Sequence, residues 1–150
     1  MVIDRIRLAQ ASERASLEAL QWRASLVWED YRADLLANPD AIELPEEQIE
    51  QGYVQVCERN GAVVGFMVVL PRADLNVELD GLFVDPDVWR SGIGRSLIHA
   101  ALAFAVQRGA STMHVVANPR ALSFYKACGF LTGGTEQTRF GPAKRMSIAI

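Results

Sequence analysis

The sequence predicts an α/β fold in which a single mixed, mostly antiparallel sheet is flanked by helices. Two patterns carry this prediction. Residues 53–70 form two apolar segments around Asn60-Gly61, which is typical of an antiparallel hairpin. A strand at 76–84, a helical stretch at 95–108 and a strand at 113–116 then form a crossover that joins parallel strands. With 150 residues, the chain is expected to form a single domain.

The first third of the chain predicts one strand and two helices. Residues 3–10 mix apolar and charged side chains in a short alternation, which favours a strand. Between residues 12 and 35, apolar residues recur at steps of three and four. This spacing predicts one long amphipathic helix that Ser12 caps and Asn38-Pro39 ends. The segment 45–51 starts with proline and continues with acids, as a second, short helix does.

Further changes in the spacing of apolar residues predict the remaining helices and strands. The helical stretch at 95–108 ends in a basic turn that Gly109 follows, which is typical of a helix C-terminus. Residues 113–116 alternate poorly, as a central strand does. A last helix is predicted at 119–128, and residues 130–150 predict two further strands around a bend.

Composition places the chain among ordinary folded proteins. Hydrophobic residues make up 50% of the chain and charged residues 22%, and the mean hydropathy is +0.09. These values exclude a disordered or collagen-like chain. No apolar run approaches the roughly 18 residues that cross a bilayer, and the first ten residues lack the apolar core of a signal peptide. We therefore expect a soluble, cytoplasmic protein with no membrane partner.

Charge and the rarer residue types narrow the classes of function. The chain has 15 Lys and Arg against 18 Asp and Glu, a net charge of -3, which disfavours nucleic acid as a partner and suits a cationic substrate. Cys57 and Cys128 lack CxxC spacing, so neither a disulfide framework nor a thiolate metal site is indicated. His99 and His114 form no zinc or triad pattern. We expect no metal.

The segment 89–96 (WRSGIGRS) lies between a strand and the crossover helix. The first amide hydrogens of a helix have no intrahelical partners and bind anions. Gly92 and Gly94 carry no Cβ that would keep a phosphate from the backbone, and Arg90 and Arg95 add positive charge. A plain strand-to-helix turn that needs small residues for packing explains the glycines equally well. On these residues alone, both interpretations stay open.

Two well-known phosphate-binding loops do not match this segment. A Walker loop requires GxxxxGK followed by Ser or Thr, and the chain contains no such string. A dinucleotide fingerprint requires a third glycine three residues after Gly94, where Leu97 stands. The remaining interpretation is a diphosphate-binding turn late in the chain, followed by Asn118 and the string FYKACGF at 124–130.

Taken together, these segments resemble the GCN5-related N-acetyltransferase (GNAT) superfamily, whose members transfer an acetyl group from acetyl-CoA to an amine. The resemblance rests on VDP at 84–86, the GxG turn, Asn118 and the string AxxFYxxxGF at 121–130. It is close over 76–130 and extends to the whole chain in the order of elements. It implies the GNAT-like acyl-CoA N-acyltransferase fold, a single N-acetyltransferase domain over 1–150 and acetyl-CoA as co-substrate, with no metal.

One position departs from the family pattern. The cofactor turn of the family usually begins with Gln or Arg three residues before its first glycine, where this chain has Trp89. Arg90 follows one position later. Because the turn acts mainly through backbone amides, we expect binding of CoA to survive this change, in a weakened or rearranged form.

The resemblance implies roles for three cofactor-binding segments. The backbone of Leu82, Phe83 and Val84 would pair with the pantetheine arm as an added strand, and one amide there would polarise the acetyl carbonyl. Asn118 matches a cofactor contact, and its position also suits a helix N-cap before Pro119. The pyrophosphate turn consists of Arg90, Ser91, Gly92, Ile93, Gly94 and Arg95.

Tyr125 matches the residue that protonates the departing thiolate in the family. The chemistry fits, because a phenol with a pKa near 10 can protonate a thiolate whose conjugate acid has a pKa near 8.5. The alternative is a core aromatic beside Phe124. Adjacent residues of a helix point about 100° apart, so one of the two can face the core while the other faces the cofactor.

Glu78 is the candidate base that takes the proton of the attacking amine. It stands fourteen residues before Gly92, where histone-type relatives carry their glutamate. Strand alternation places Asp80 on the same face, where a second carboxylate would raise a pKa or hold a cationic amine. Whether Glu78 or a water that it orients takes the proton is open. Acids on the wet face of a half-exposed strand are the alternative.

Acceptor choice in the family is set largely by the first two helices and the last two strands. Trp28 and Tyr31 are therefore candidates for the acceptor pocket, with ordinary packing as the alternative. Relatives that acetylate protein N-termini often carry an acid five residues before the asparagine, where this chain has Met113. This difference favours a small-molecule amine over a peptide.

The resemblance therefore predicts acetyl transfer from acetyl-CoA to a primary amine of a small molecule, by direct attack in a ternary complex. A catalytically silent module that binds or senses acyl-CoA is the alternative from another class of function. The late strands also offer a surface for a homodimer.

Overall fold

A computed structural model describes residues 3–150, without the side chain of Asp30. The described residues form seven strands and five α-helices. The strands are β1 (Asp4–Leu8), β2 (Val54–Arg59), β3 (Ala62–Pro71), β4 (Val77–Val84), β5 (Thr112–Ala117), β6 (Leu131–Thr138) and β7 (Gly141–Ala149). The helices are α1 (Arg14–Leu26), α2 (Glu29–Ala37), α3 (Glu46–Glu50), α4 (Ile93–Gln107) and α5 (Leu122–Ala127). Short 3-10 turns lie at Ala11–Glu13 and Pro86–Val88.

The strands form one mixed sheet in the order β1-β2-β3-β4-β5-β7-β6. The pairs β1–β2, β2–β3, β5–β7 and β6–β7 are antiparallel. The pair β4–β5 is parallel, and α4 lies between these two strands in the chain. The predicted single mixed, mostly antiparallel sheet with one crossover is therefore confirmed.

The chain folds as two compact units. The first comprises the residues up to Val68 together with Gly81–Leu97. The second comprises Val69–Asp80 together with Ile98–Ile150. Each is described by itself below.

The long helix predicted for residues 12–35 is two helices in the structure. α1 ends at Leu26 and α2 begins at Glu29, because Trp28 between them has an extended backbone (φ -86°, ψ 112°). Val27 and Trp28 are β-branched and aromatic, types with weak helix propensity. The structure contains the predicted apolar stripe, whose residues Leu17, Leu20, Ala24 and Leu35 are all buried. Its direction changes at Trp28, between the end of α1 and the start of α2.

The N-terminal cap also differs from the prediction. Gln10, not Ser12, precedes the first helical turn, which is the 3-10 turn Ala11–Glu13. Glu13 Oε1 accepts a hydrogen bond from the Gln10 amide at 2.9 Å, as in a capping box. Glu13 also forms a bidentate pair with Arg7, with distances of 2.9 and 2.8 Å. These bonds join β1 to the start of the helical region.

The predicted hairpin turn has the expected backbone geometry. Asn60 has a φ of 52° and Gly61 a φ of 85°, as a two-residue turn between twisted strands requires. Arg59 of β2 pairs with Ala62 of β3 across this turn. The hairpin prediction is confirmed.

In the first unit, Gly65 of β3 lets the start of α4 approach the sheet. A Cβ at this position would lie 3.1 Å from the Phe83 carbonyl oxygen, 3.2 Å from Leu97 Cδ1 and 3.3 Å from Ile93 Cγ2. Ile93 and Leu97 are fully buried in the first two turns of α4. The glycine thereby fixes where the N-terminus of α4 lies relative to β3.

In the second unit, Asn76 fixes the start of the parallel pair. Its Oδ1 accepts hydrogen bonds from the Ser111 amide (3.1 Å), the Ser111 hydroxyl (3.2 Å) and the Thr112 amide (3.2 Å). These bonds set the β4–β5 register, in which Val77 pairs with Met113. Met113 and Val77 lie in the core of this unit, at 0% and 1% exposure.

We expect Gly65→Ala to lower the free energy of unfolding by about 1–3 kcal/mol, since the added methyl group overpacks the contact between β3 and α4. Urea denaturation measures this change. Gly134→Ala is the control, because a Cβ at Gly134 meets nothing within 4 Å. Equal destabilisation by the two substitutions would contradict the role assigned to Gly65.

Candidate functional site

At the end of β4, successive peptide groups point toward the two opposite edges of the strand. The Asp85 amide donates to the Val64 carbonyl of β3 at 2.8 Å. Because peptide groups alternate along a strand, Phe83 also turns its N–H and C=O toward β3. Leu82 and Val84 turn theirs toward the other edge. Of the three residues predicted to dock the pantetheine arm, only Leu82 and Val84 therefore present backbone groups on that edge.

The parallel pairing of β4 with β5 ends early. It joins Val77 to Met113, Glu78 to His114 and Leu79 to Val115. β4 continues to Val84, and in residues 3–150 the pairing with β5 does not extend past Leu79. The backbone groups of Leu82 and Val84 on this edge are thus left without a strand partner.

Trp89 forms a hydrogen bond with one of these backbone groups. Its Nε1 donates a hydrogen bond to the Val84 carbonyl at 2.6 Å. Its ring stacks on Trp28, with ring centroids 5.4 Å apart and planes inclined by 24°. The open edge of β4 therefore retains the N–H and C=O of Leu82 and the N–H of Val84. The position where the family usually has Gln or Arg is occupied by a side chain with two structural contacts.

Two exposed residues of the turn before α4 have left-handed backbone conformations. Arg90 has a φ of 65° and Gly92 a φ of 87°. The Ser91 hydroxyl donates to the Val88 carbonyl at 2.5 Å, which closes the turn. A Cβ at Gly92 would meet nothing within 4 Å, so the space beside this glycine is open.

The first turn of α4 leaves amide hydrogens that the helix cannot pair. The Ser96 amide donates to the Gly92 carbonyl at 3.0 Å, and the amides of Ile93–Arg95 precede this bond. The Ile93 side chain is buried and anchors the turn, while Arg95 is exposed. The helix begins at Ile93, two residues before the predicted start, and the predicted anion-binding segment lies at its N-terminus as expected.

Glu78 is a partly desolvated carboxylate of the second unit. Its Oε2 is buried and accepts no hydrogen bond, and Arg72 Nη1 lies 3.7 Å away. Desolvation raises the pKa of Glu78 above its ordinary value, while Arg72 and Arg145 oppose this shift and Asp80 and Glu136 add to it. A carboxylate with a raised pKa and an oxygen that accepts no hydrogen bond is suited to accept a proton.

Asp80 lies on the same face of β4 as Glu78, because the intervening Leu79 is buried on the opposite face. Its side chain is exposed, yet the surrounding protein desolvates it enough to raise its pKa. Strand alternation therefore correctly places Glu78 and Asp80 together.

Sequence reasoning missed two neighbours of Glu78. His114 is its partner on β5, and Arg72 lies within 4 Å of it. Desolvation, together with Arg72 and Arg145, lowers the pKa of His114, and Asp74 opposes this shift. Neither residue belongs to a motif. The register between β4 and β5 reveals His114, and the course of the loop after β3 reveals Arg72.

Tyr125 is the buried member of the aromatic pair on α5. It is 7% exposed, and its ring makes edge contacts with Phe124 (5.2 Å) and Phe130 (5.4 Å). Burial, with a smaller effect of Cys128, raises the pKa of the phenol. Tyr125 is thus buried among aromatic side chains, and its raised pKa favours the protonated phenol.

Asn118 closes a turn and is not the predicted N-cap of the last helix, because Ala121 holds the N-cap position of α5. Its Oδ1 accepts hydrogen bonds from the amides of Arg120 (2.9 Å) and Ala121 (3.1 Å). These bonds close a turn over residues 118–121, and α5 begins only at Leu122 instead of the predicted residue 119.

Trp28 and Tyr31 lie at the corner between α1 and α2. The Trp28 carbonyl accepts a hydrogen bond from the Tyr31 amide at 3.0 Å. Both side chains are half-buried. Arg23 of α1 also pairs with Asp85 at 3.1 Å. The corner and the segment after β4 are therefore held together within the first unit.

The predicted site residues fall into two groups. The first unit holds the cofactor-binding and acceptor candidates Trp28, Tyr31, Leu82–Val84 and Arg90–Arg95. The second holds Glu78, Asp80, Asn118 and Tyr125.

Among residues 3–150, no three or more His, Cys, Asp or Glu side chains form a group that would hold a metal ion. None of the described helices combines the length and apolar character needed to span a membrane.

Known proteins share this arrangement of elements. The PaiA N-acetyltransferase of Thermoplasma acidophilum, crystallised with coenzyme A, superposes with a TM-score of 0.78 at 17% identity and covers 99% of both chains. At this identity the likeness concerns the fold, and it confirms the predicted GNAT-like fold.

Sequence relatives agree with the fold. The peptidyl-lysine N-acetyltransferase YjaB of Salmonella typhimurium is 34% identical over 145 residues, which cover 91% of this chain and 90% of YjaB. An uncharacterized N-acetyltransferase of Methanocaldococcus jannaschii is 38% identical over 90 residues, and the match spans only 39% of that longer protein. The model of the acetyltransferase (GNAT) family matches residues 15–130. Because this match covers most of the chain, the protein belongs to the GNAT family of acetyltransferases.

Proposed function

We propose that the protein transfers the acetyl group of acetyl-CoA to a primary amine, by direct attack in a ternary complex within one N-acetyltransferase domain. One observation of the first unit carries this proposal. The same segment, 82–95, has unpaired backbone groups at the end of β4 and unpaired amides at the start of α4. The first set suits an extended amide chain and the second suits a diphosphate.

The residues present fit coenzyme A. The open space beside Gly92 lets a phosphate approach the backbone, and the exposed Arg90 and Arg95 add positive charge. The free groups on this edge are the Leu82 N–H, the Leu82 C=O and the Val84 N–H, which are a donor, an acceptor and a donor in turn. This order matches an added strand that carries amides. When bound, acetyl-CoA supplies an activated thioester. The family's usual Gln or Arg is not needed for these backbone contacts.

The amides of Leu82 and Val84 are the candidates to polarise the acetyl carbonyl. Both are held by a strand whose other edge pairs with β3, so neither has to reorganise as negative charge develops. A preorganised donor stabilises the charge on the oxygen more effectively than water does.

Glu78 and Tyr125 supply the proton transfers of this reaction. As the amine nitrogen bonds to the acetyl carbon and the carbon–sulfur bond breaks, Glu78 or a water that it orients takes the amine proton. Tyr125 gives its proton to the departing sulfur. The raised pKa of Glu78 supports its role, because it makes the carboxylate a stronger base. The raised pKa of Tyr125 makes the phenol a weaker acid and keeps it protonated until a thiolate forms.

The acceptor is a primary amine in either of two settings. A small-molecule amine agrees with Met113 at the position where relatives specific for protein N-termini carry an acid. A lysine side chain in a peptide is the second candidate, and the similarity to YjaB over 90% of that protein favours it. Asp80 on the face of Glu78 would hold either ammonium group. A cytoplasmic location and a homodimer stay predictions.

The direct test is release of free thiol from acetyl-CoA with a panel of small amines and lysine-containing peptides. We expect turnover above background hydrolysis with at least one of these acceptors. Binding of CoA without transfer to any of them would favour the silent acyl-CoA module. Lack of affinity for CoA even at millimolar concentration would contradict the whole assignment.

We expect Tyr125→Phe to lower kcat by about 10²-fold, because the thiolate then leaves without a positioned acid. The KM for acetyl-CoA should change little, and the edge contacts with Phe124 and Phe130 should keep the fold intact. Thermal unfolding checks the second point. Full turnover at saturating substrates would show that Tyr125 is only a core aromatic.

We expect Glu78→Gln to lower kcat and to remove the acidic limb of the pH–rate profile. The wild-type limb should lie above the ordinary pKa of a glutamate, because desolvation raises the pKa of Glu78 and only its ionised form accepts a proton. Glu50→Gln, at an exposed position of α3, is the control and should leave the profile unchanged.

The same substitution also changes stability, and the sign follows from the raised pKa. The folded state disfavours ionised Glu78, so the wild type loses stability as the pH rises through this pKa, whereas Glu78→Gln does not. Urea denaturation at about pH 4 and about pH 7.5 should show a relative gain for Glu78→Gln only at the higher pH. A relative loss at the higher pH would mean that the attraction of Arg72 outweighs desolvation.

A further inference from the structure

We propose that Trp89 is a positioning residue with two separable tasks. Its indole N–H holds the end of β4, and its ring holds the corner between α1 and α2. The inference rests on the proposed function, because it takes the end of β4 as the place for acetyl-CoA and this corner as part of the acceptor site. It explains why this chain has an indole where the family usually has Gln or Arg.

The hydrogen bond of Trp89 acts on the open edge of β4. Val84 is the last residue of the strand, and its carbonyl has no strand partner on that edge. The indole N–H at 2.6 Å satisfies this carbonyl. The bond fixes the peptide plane beyond Val84, and the neighbouring Val84 N–H is one of the two amides proposed to contact acetyl-CoA. Loss of the indole N–H should therefore loosen the cofactor strand.

The ring of Trp89 acts on the first turn of α2. It stacks on Trp28, whose backbone is extended and whose carbonyl accepts the amides of Tyr31 (3.0 Å) and Arg32 (3.1 Å). A ring that fixes Trp28 therefore also fixes the start of α2. Loss of the ring should loosen the acceptor corner.

A second contact between the same segments is weaker. Arg23 pairs with Asp85 at 3.1 Å, and Asp85 accepts the Asp87 amide at the start of the 3-10 turn that leads to Trp89. The Arg23 side chain is 53% exposed, so solvent screens the pair. The aromatic stack is not screened in this way, so Trp89 is the residue to test.

The test compares two substitutions of the same residue. Trp89→Phe keeps a ring that can stack on Trp28 and removes the N–H, whereas Trp89→Leu removes both. We expect Trp89→Phe to raise the KM for acetyl-CoA about three- to tenfold and to leave the KM for the acceptor unchanged. We expect Trp89→Leu to raise both KM values. Trp22→Phe, at a half-buried position of α1, is the control for loss of an indole and should change neither.

A second readout requires no turnover. Hydrogen exchange at the amides of Tyr31 and Arg32 should accelerate in Trp89→Leu and stay at the wild-type rate in Trp89→Phe.

If the wild type shows no acetyl transfer, the proposed function fails, while the exchange rates and a CoA titration still test the two tasks of Trp89. Trp28→Leu reports on the same stack if Trp89→Leu does not fold. Equal effects of Phe and Leu at position 89 on the acceptor KM and on exchange would overturn the proposal.

Discussion

A backbone amide or carbonyl in a sheet must find a hydrogen-bond partner, and at the end of β4 the chain leaves three such groups without one. The Asp85 amide still pairs with Val64 of β3, while the parallel pairing with β5 stops at Leu79. Unpaired groups of this kind bind water or a ligand that brings its own peptide-like groups. The edge formed by Leu82 and Val84 is therefore the feature on which the cofactor part of the proposed reaction depends.

The start of α4 follows from the same strand through packing. A Cβ at Gly65 of β3 would lie 3.1–3.3 Å from atoms of Phe83, Leu97 and Ile93, closer than ordinary van der Waals contact, so a side chain there would push the helix away from the sheet. The helix N-terminus and the open edge of β4 are consequently placed by one contact. Left-handed φ angles at Arg90 and Gly92 let the intervening turn reach the helix within a few residues. Side-chain chemistry contributes less here than the course of the backbone.

The parts of this structure that the sequence predicts are those decided by local chemistry. The Asn60-Gly61 turn, the crossover and the glycine turn before α4 each depend on residues that are neighbours in the chain. The break between α1 and α2 was not predicted, because the apolar spacing continues across Val27 and Trp28 despite their weak helix propensity. The stack of Trp28 on Trp89 at this corner joins residues that are distant in sequence. The surroundings of Glu78 were not predicted either, since His114 and Arg72 reach it through strand register and loop geometry.

Trp89, which stands where the family usually has Gln or Arg, illustrates how a cofactor site built from backbone groups tolerates a different side chain. If anion binding relied on the side chain at position 89, replacing Gln or Arg by an indole would remove a contact to the pyrophosphate. The amides of Ile93–Arg95 and the free groups of β4 belong to the backbone and are present whatever side chain stands at position 89, so the position is open to another use. In this chain the indole satisfies a strand carbonyl and packs on a helix corner. A departure from a family motif at such a position therefore indicates a new structural role more readily than a loss of the cofactor.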